Sequence, residues 1–193
     1  MLASAMALPN TSHAPAHGVM LPANVNEQVA EGDFIFRAGR DIISALVMSQ
    51  SDTRQYSHVG VILKRDGRAL VVHALPREGT FAGGVVVETL EVYASKENAS
   101  SVGVYRIEGL DQGDIGLIRE YLLGQVGKPF DDSFSMKDEG AMYCTELAVK
   151  AYASAGIDLA GRVGRVEVMT MPEPVVLPDA LSTVPGVSLV FGV

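Results

Sequence analysis

The chain has 193 residues, of which 48% are hydrophobic, and it carries a formal net charge of −8 at pH 7. A chain of this length and composition is expected to fold as one domain with a substantial core. The acidic balance, with no basic stripe to offset it, argues against a nucleic-acid-binding protein. A single cysteine excludes an intramolecular disulfide, and no apolar run approaches the roughly 18 residues that a membrane-spanning helix needs.

The first 26 residues differ in composition from the rest of the chain. They begin with small apolar residues and continue with turn-forming segments around Pro9 and Pro15. A secretory signal would have a basic start and a longer apolar stretch, and both are missing. We therefore expect residues 1–26 to form a mobile extension and residues 27–193 to form one domain.

The first half of this domain contains a strong hairpin signal. A strand at 34–37 and a short helix at 41–48 precede two β-prone runs that flank Asp66-Gly67. Asp-Gly between two such runs predicts a two-residue type I′ turn, in which Arg65 faces Arg68. This register places His58 and His73 on one face of the hairpin, diagonal to each other, with only a glycine between them.

The second half supplies further strands and two helices. Strands are predicted at 85–89, 102–107 and 188–191, and an amphipathic helix at 113–124. A second helix runs from about 141 to 155 and contains Cys144 near its start. Mostly neighbouring antiparallel strands, with helices at both ends of the chain, indicate an α+β fold.

Cys144 is placed where a nucleophile would be. Free backbone N–H groups and the positive end of the helix dipole favour a thiolate at a helix start, so we expect a lowered pKa for this thiol. Farther along the same helix, Glu146 and Lys150 are spaced as an i,i+4 ion pair. The competing interpretation is that Cys144 is simply a small buried apolar residue.

Cys144, His58 and His73 together match the needs of acyl chemistry at a cysteine. Such chemistry uses a thiol, an imidazole that takes and returns a proton, and a polar group that orients the imidazole. In papain-type enzymes the cysteine comes first in the chain. Here it comes last, so the order would correspond to a circular permutation.

Several short motifs, in this order, resemble the permuted papain-fold amidase family, the YaeF/YiiX-like branch of the NlpC/P60 superfamily. They are Gly32-Asp-Phe-Ile-Phe-Arg37, Tyr56-Ser-His-Val-Gly-Val61, Val72-His-Ala74, Gly127-Lys-Pro-Phe-Asp131, Tyr143-Cys-Thr-Glu-Leu147 and Leu177-Pro-Asp-Ala-Leu181.

The resemblance implies a circularly permuted papain-like fold, with an antiparallel sheet packed on the helix that carries the cysteine. It also implies Cys144 as nucleophile, His58 as base and the residue at 73 as the third polar group. That third residue is more often Glu in the family, whereas a His there resembles the lecithin:retinol acyltransferase-like relatives. The expected enzyme is a cysteine hydrolase that cleaves an amide bond, most readily in cell-wall peptides (peptidoglycan).

The residues leave several choices open. Tyr56 and Tyr143 are candidate donors to an oxyanion, and Glu146 is a candidate for ordering the loop before Cys144. A lipid acyltransferase or phospholipase would be a different enzyme built from the same residues. His58, His73 and Cys144 could instead form a zinc site, or the domain could be a catalytically silent module.

We expect no cofactor and no bound metal, and a peptide or lipid as the substrate. The expected location is the periplasm or the exterior for a cell-wall amidase, and the cytoplasm otherwise.

Overall fold

The structure is a computed structural model, and it describes residues 19–40, 42–168 and 173–193, without the side chains of residues 42, 43, 45 and 46. The fold is α+β, as predicted, with one antiparallel sheet in the strand order β4-β3-β2-β1-β5-β6. The strands are β1 (Phe34–Ala38), β2 (His58–Arg65), β3 (Arg68–Leu75), β4 (Gly84–Thr89), β5 (Ser101–Ile107) and β6 (Val187–Gly192). The helices are α1 (Val25–Gln28), α2 (Ile42–Ser49), α3 (Leu90–Tyr93), α4 (Gln112–Gln125), α5 (Cys144–Ser154) and α6 (Pro178–Ser182).

Each face of the sheet is covered by its own apolar core. Because side chains alternate along a strand, Val59 and Val61 of β2 join the core beneath α4 and α5, while Ile62 joins the opposite core. That second core contains Leu90 and Tyr93 of α3. Two covered faces explain why the central strands contain nearly continuous apolar runs.

The hairpin between β2 and β3 has the predicted turn and register. Arg65 pairs with Arg68, and Asp66 and Gly67 have φ values of 51° and 77°, as a type I′ turn requires. The pairing of β2 with β3 ends at Val61 and Val72. Beyond this pair, β2 remains paired with β1 as far as His58, and β3 remains paired with β4 as far as Leu75.

Some residues before 27 pack against the sheet, while the boundary at residue 27 stays a prediction. Residues 1–18 of the expected extension lie outside the described residues. Of the remainder, Val25 is buried in the core beneath α3, and Val19 and Leu21 pack against the same core. These three residues therefore contact the folded body. Within the described residues, no helix is both long enough and apolar enough to cross a bilayer.

Candidate active site

The two histidines of the hairpin are hydrogen-bonded to each other. His58 Nε2 lies 2.8 Å from His73 Nδ1, and both side chains are buried. Gly60 makes this contact possible, because a Cβ at that position would lie 2.4 Å from a Val71 methyl group and 3.2 Å from the His73 Cβ. The sequence-based register thus correctly brought these two residues together.

A carboxylate that the sequence did not reveal extends this pair. His73 Nε2 lies 3.1 Å from Glu88 Oε2 on the neighbouring strand β4. In the β3–β4 ladder, Val71 faces Glu88 and His73 faces Val86, so Glu88 stands diagonal to His73 on the same face. The sequence signal for Glu88 was a single acid after the apolar run 85–87. The pairing of β3 with β4 could not be predicted, because a long loop separates these two strands.

Arg37 and Tyr93 surround the imidazoles with a buried cation and an aromatic ring. The Arg37 guanidinium lies 4.6 Å from the Tyr93 ring centre, and its Nη1 donates to the Tyr93 carbonyl oxygen at 3.0 Å. The Tyr93 ring stacks on His58 at 5.8 Å between centroids. Its hydroxyl donates to the Ile35 carbonyl oxygen at 3.1 Å.

This environment keeps both imidazoles neutral. Burial lowers the pKa of His58 well below its ordinary value, and the Arg37 charge and His73 add to the shift. Burial also lowers the pKa of His73, although its hydrogen bond to Glu88 works against that shift. The pKa of Glu88 is itself lowered, mainly by the bond from His73.

Cys144 lies at the start of α5, as predicted, although the helix begins at this residue rather than at about 141. The pKa of its thiol is shifted in the opposite direction to our expectation. Burial raises the pKa of the thiol. Thr145 and the backbone N–H groups of Val59, Thr145 and Cys144 itself oppose the rise without overcoming it. Desolvation outweighs the helix-start effect here, because the thiolate loses more solvation than Thr145 and these N–H groups restore. The resting thiol is therefore protonated at neutral pH.

The thiol and the imidazoles approach the sheet from opposite faces. Cys144 packs with the core beneath α5, whereas His58 and His73 share their face with Tyr93. The two sides come close at Val59, the residue after His58, whose backbone N–H is among the groups that lower the pKa of the thiol. Between these described side chains no hydrogen bond joins Cys144 to His58, and the sulfur contacts Thr145 Oγ1 at 3.8 Å.

Glu146 secures the start of the cysteine helix. Its carboxylate is fully buried and accepts the Tyr143 backbone N–H at 3.3 Å. Lys150 lies 2.9 Å from the same carboxylate, which is the ion pair expected from their spacing. Burial raises the pKa of Glu146, with Lys150 acting in the opposite direction. These contacts hold the backbone just before Cys144, and a role for Glu146 at the substrate stays a prediction.

The two tyrosines proposed as oxyanion donors have different surroundings. The Tyr56 hydroxyl accepts from Gln55 Nε2 at 2.9 Å and lies 3.4 Å from the Tyr105 hydroxyl on β5. The Tyr143 hydroxyl is buried without a hydrogen bond of normal geometry to any described residue. Burial raises the pKa of both tyrosines. The backbone of Val176 lies close enough to the Tyr143 hydroxyl to oppose part of this rise in its pKa. The oxyanion role of both tyrosines stays a prediction.

Asp179 holds the loop that leads into β2. Its buried carboxylate accepts the backbone N–H groups of Gln55 and Tyr56 at 3.1 and 2.8 Å, and the Ser51 hydroxyl at 2.6 Å. The motif 177–181 had marked this residue without revealing its role. Asp179 thus determines the path of the chain immediately before His58.

The described residues contain no group of three or more His, Cys, Asp or Glu side chains that could hold a metal ion. The nitrogen atoms of His58 and His73 that face each other are hydrogen-bonded, so both cannot ligate one ion through these atoms. The arrangement of His58, His73 and Cys144 does not fit a zinc site.

Comparisons with known proteins agree with this architecture. The family model described as permuted papain-like amidase enzyme, YaeF/YiiX, C92 family, matches residues 28–190. One similar solved structure is the metalloprotein yiiX from Escherichia coli O157:H7, with a TM-score of 0.67 and 23% sequence identity over 84% of this chain and 96% of that chain. The chain has no match among curated protein sequences.

Proposed function

Because the chain belongs to the permuted papain-like amidase family, a family of cysteine peptidases and amidases, we propose that it hydrolyses a peptide amide bond with Cys144 as nucleophile and His58 as base. The observation that carries this proposal is the junction at Val59. The Val59 N–H lies close enough to the thiol to lower its pKa, and the adjacent residue His58 is hydrogen-bonded to His73.

The neutral resting state of the site determines how the reaction would begin. The raised pKa of Cys144 and the lowered pKa of His58 favour a thiol beside a neutral imidazole over a preformed ion pair. The thiol proton would pass to His58 Nδ1 as the sulfur attacks the carbonyl carbon. The resting sulfur contacts Thr145 Oγ1 rather than His58, and such catalytic bonds are often long before substrate binds.

The remaining steps return the proton and release the products. As the C–N bond breaks, His58 gives its proton to the leaving amine, and the acyl group stays on sulfur as a thioester. Water, deprotonated by His58, then attacks the thioester. The C–S bond breaks, the carboxylic acid is released, and His58 returns its proton to the Cys144 sulfur. The Cys144 backbone N–H at the start of α5 would stabilise the oxyanion in both halves, with Tyr143 as the candidate second donor.

A peptide substrate is favoured over a lipid surface by the charge of the protein. The net charge of −8 opposes binding to anionic headgroups, which attract clusters of Lys and Arg. Peptides of the bacterial cell wall are the proposed substrate class.

The test incubates the purified protein separately with peptidoglycan fragments and with phospholipid vesicles, and follows product masses. We expect amide cleavage of the peptide fragments by the wild type and none by Cys144→Ala. Lysophospholipid or transacylated product, without peptide cleavage, would replace the proposed substrate with a lipid. Product from Cys144→Ala at the wild-type rate would refute the nucleophile.

A further inference from the structure

We infer that Glu88 is a positioning residue that determines which ring nitrogen carries the proton, directly in His73 and through His73 in His58. It thereby leaves His58 Nδ1 free to accept the thiol proton. The inference deepens the proposed function and rests on it, because it concerns the regulation of proton transfer at the same site. Glu88 lies two strands from β2 and touches His73 rather than His58.

The direction of the hydrogen bonds follows from what each group can donate. The pKa of Glu88 is lowered by its bond from His73, so the carboxylate is ionised at neutral pH and can only accept. His73 Nε2 must therefore carry a proton. A neutral imidazole has one N–H, which leaves His73 Nδ1 as an acceptor.

The same logic then applies to His58. With His73 Nδ1 accepting across the 2.8 Å contact, His58 Nε2 must be the donor. His58 is also neutral, since burial and Arg37 lower its pKa, and its one proton is now assigned. His58 Nδ1 is left with a lone pair, which is the state that a general base needs.

The other charged or titratable groups around the rings do not change these proton positions on His58 and His73. Arg37 on β1 lowers the pKa of both histidines and therefore keeps them neutral. Tyr93 on α3 stays protonated, because burial raises the pKa of its hydroxyl, which donates to the Ile35 carbonyl oxygen. The buried thiol of Cys144 on α5 is neutral.

Glu88 is suited to substitution, because it is not part of either core. Its side chain is 24% exposed and lines a cavity of about 240 Å³ together with Arg37, Glu78 and Asn98. Replacing the carboxylate with an amide keeps the shape of the side chain. An ionised carboxylate can only accept hydrogen bonds, whereas an amide can also donate them. In Glu88→Gln the amide can also donate to His73 Nε2, which reverses both bonds and places a proton on His58 Nδ1. Glu78→Gln removes an equal charge from an exposed residue of the same cavity and is the matched control.

The experiment records long-range ¹H–¹⁵N correlation spectra of histidine-labelled full-length protein at pH 7, where the chain's four histidines can be assigned by substitution. We expect His58 and His73 in the wild type and in Glu78→Gln to carry their protons on Nε2. In Glu88→Gln, the His58 Nδ1 signal should move toward the range of a protonated nitrogen. Turnover should fall about 10- to 100-fold, by analogy with metal-ligating histidines, whose activity falls by this factor when the orienting partner is removed.

Two results would overturn the inference. One is a proton on His58 Nδ1 in the wild type, which decides the matter even if Glu88→Gln does not fold. The other is a folded Glu88→Gln protein with unchanged nitrogen shifts. Failure of the proposed function is separate from both, since it would show as turnover by Cys144→Ala while the spectra keep the expected tautomers.

Discussion

The Asp179 carboxylate accepts the backbone N–H of Tyr56 at 2.8 Å, across 123 residues of chain. This bond ties α6 to the loop that enters β2 two residues before His58. The same carboxylate also accepts from Gln55 and Ser51, so the loop has no freedom to move His58 away from the sheet.

Asp179→Asn should therefore reduce both stability and turnover. The NH₂ group of the new amide would face a hydrogen-bond donor of the loop, which is then left without an acceptor. A buried donor left unpaired costs about 1–3 kcal/mol in the free energy of unfolding. Urea unfolding and kcat measured on the same preparation check this prediction. Asp158→Asn is the control, because Asp158 is exposed and accepts only a local N–H from Gly161. Equal stability of the two variants would contradict the anchoring role.

Stability should decline as the pH falls below about 6.5. His58 and His73 have lowered pKa values in the fold, so the unfolded chain binds protons that the folded protein does not. Their contribution is complete above the unfolded pKa and is lost as the pH falls toward the folded pKa. At pH 5.5 the loss should reach at most about 1.4 kcal/mol for each imidazole, the limit for a group that stays unprotonated in the fold.

The measurement is Tm between pH 7.5 and 5.5 for the wild type and for the double variant His58→Asn/His73→Asn. The decline should be clearly shallower in the double variant, since the two depressed imidazoles are gone. Parallel declines in the two proteins would mean that other groups cause the acid sensitivity.

Insertion of one Gly between Asp66 and Gly67 should abolish turnover while much of the fold survives. The two-residue turn fixes the register, and a slip by one residue would move His73 to the opposite face of the sheet. Circular dichroism and the amide-cleavage assay give the two readouts. One Gly inserted between Lys96 and Glu97, an exposed pair in a turn, serves as the control. Full activity of the hairpin variant would refute the role of the turn in setting the register.

How much the sequence predicts is clearest around the histidines. The Asp66-Gly67 turn is a local signal, and counting outward from it correctly brought His58 and His73 together. Glu88 is separated from His73 by a long loop, so its place in the sheet cannot be counted from a local turn. Asp179 reaches the loop before His58 by a contact across 123 residues, which no local motif predicts. The raised pKa of Cys144 was missed for a related reason, because burial is a property of the assembled core.

The two histidines should differ in importance. His58→Ala removes the proposed base, which is worth about 10²–10⁴-fold, and should leave turnover near background. His73→Ala should retain measurable turnover, because nucleophile and base remain. Two further variants are compared in a Glu88→Gln background, which avoids two adjacent acids. In this background His73→Glu should recover more activity than His73→Gln, because its carboxylate can accept the His58 N–H. The assignment is reversed if His73→Ala is inactive while His58→Ala still turns over.

The central claim, that Cys144 is the nucleophile, is tested most directly by relating alkylation to activity. The chain has one cysteine, so the intact mass after iodoacetamide treatment counts labelled molecules without ambiguity. Because burial raises the pKa of the native thiol, labelling at pH 7 should be slower than in the unfolded chain. Residual turnover should fall in proportion to the unlabelled fraction and reach background at one label per chain. Fully labelled protein that still cleaves its amide substrate at the wild-type rate would contradict the claim.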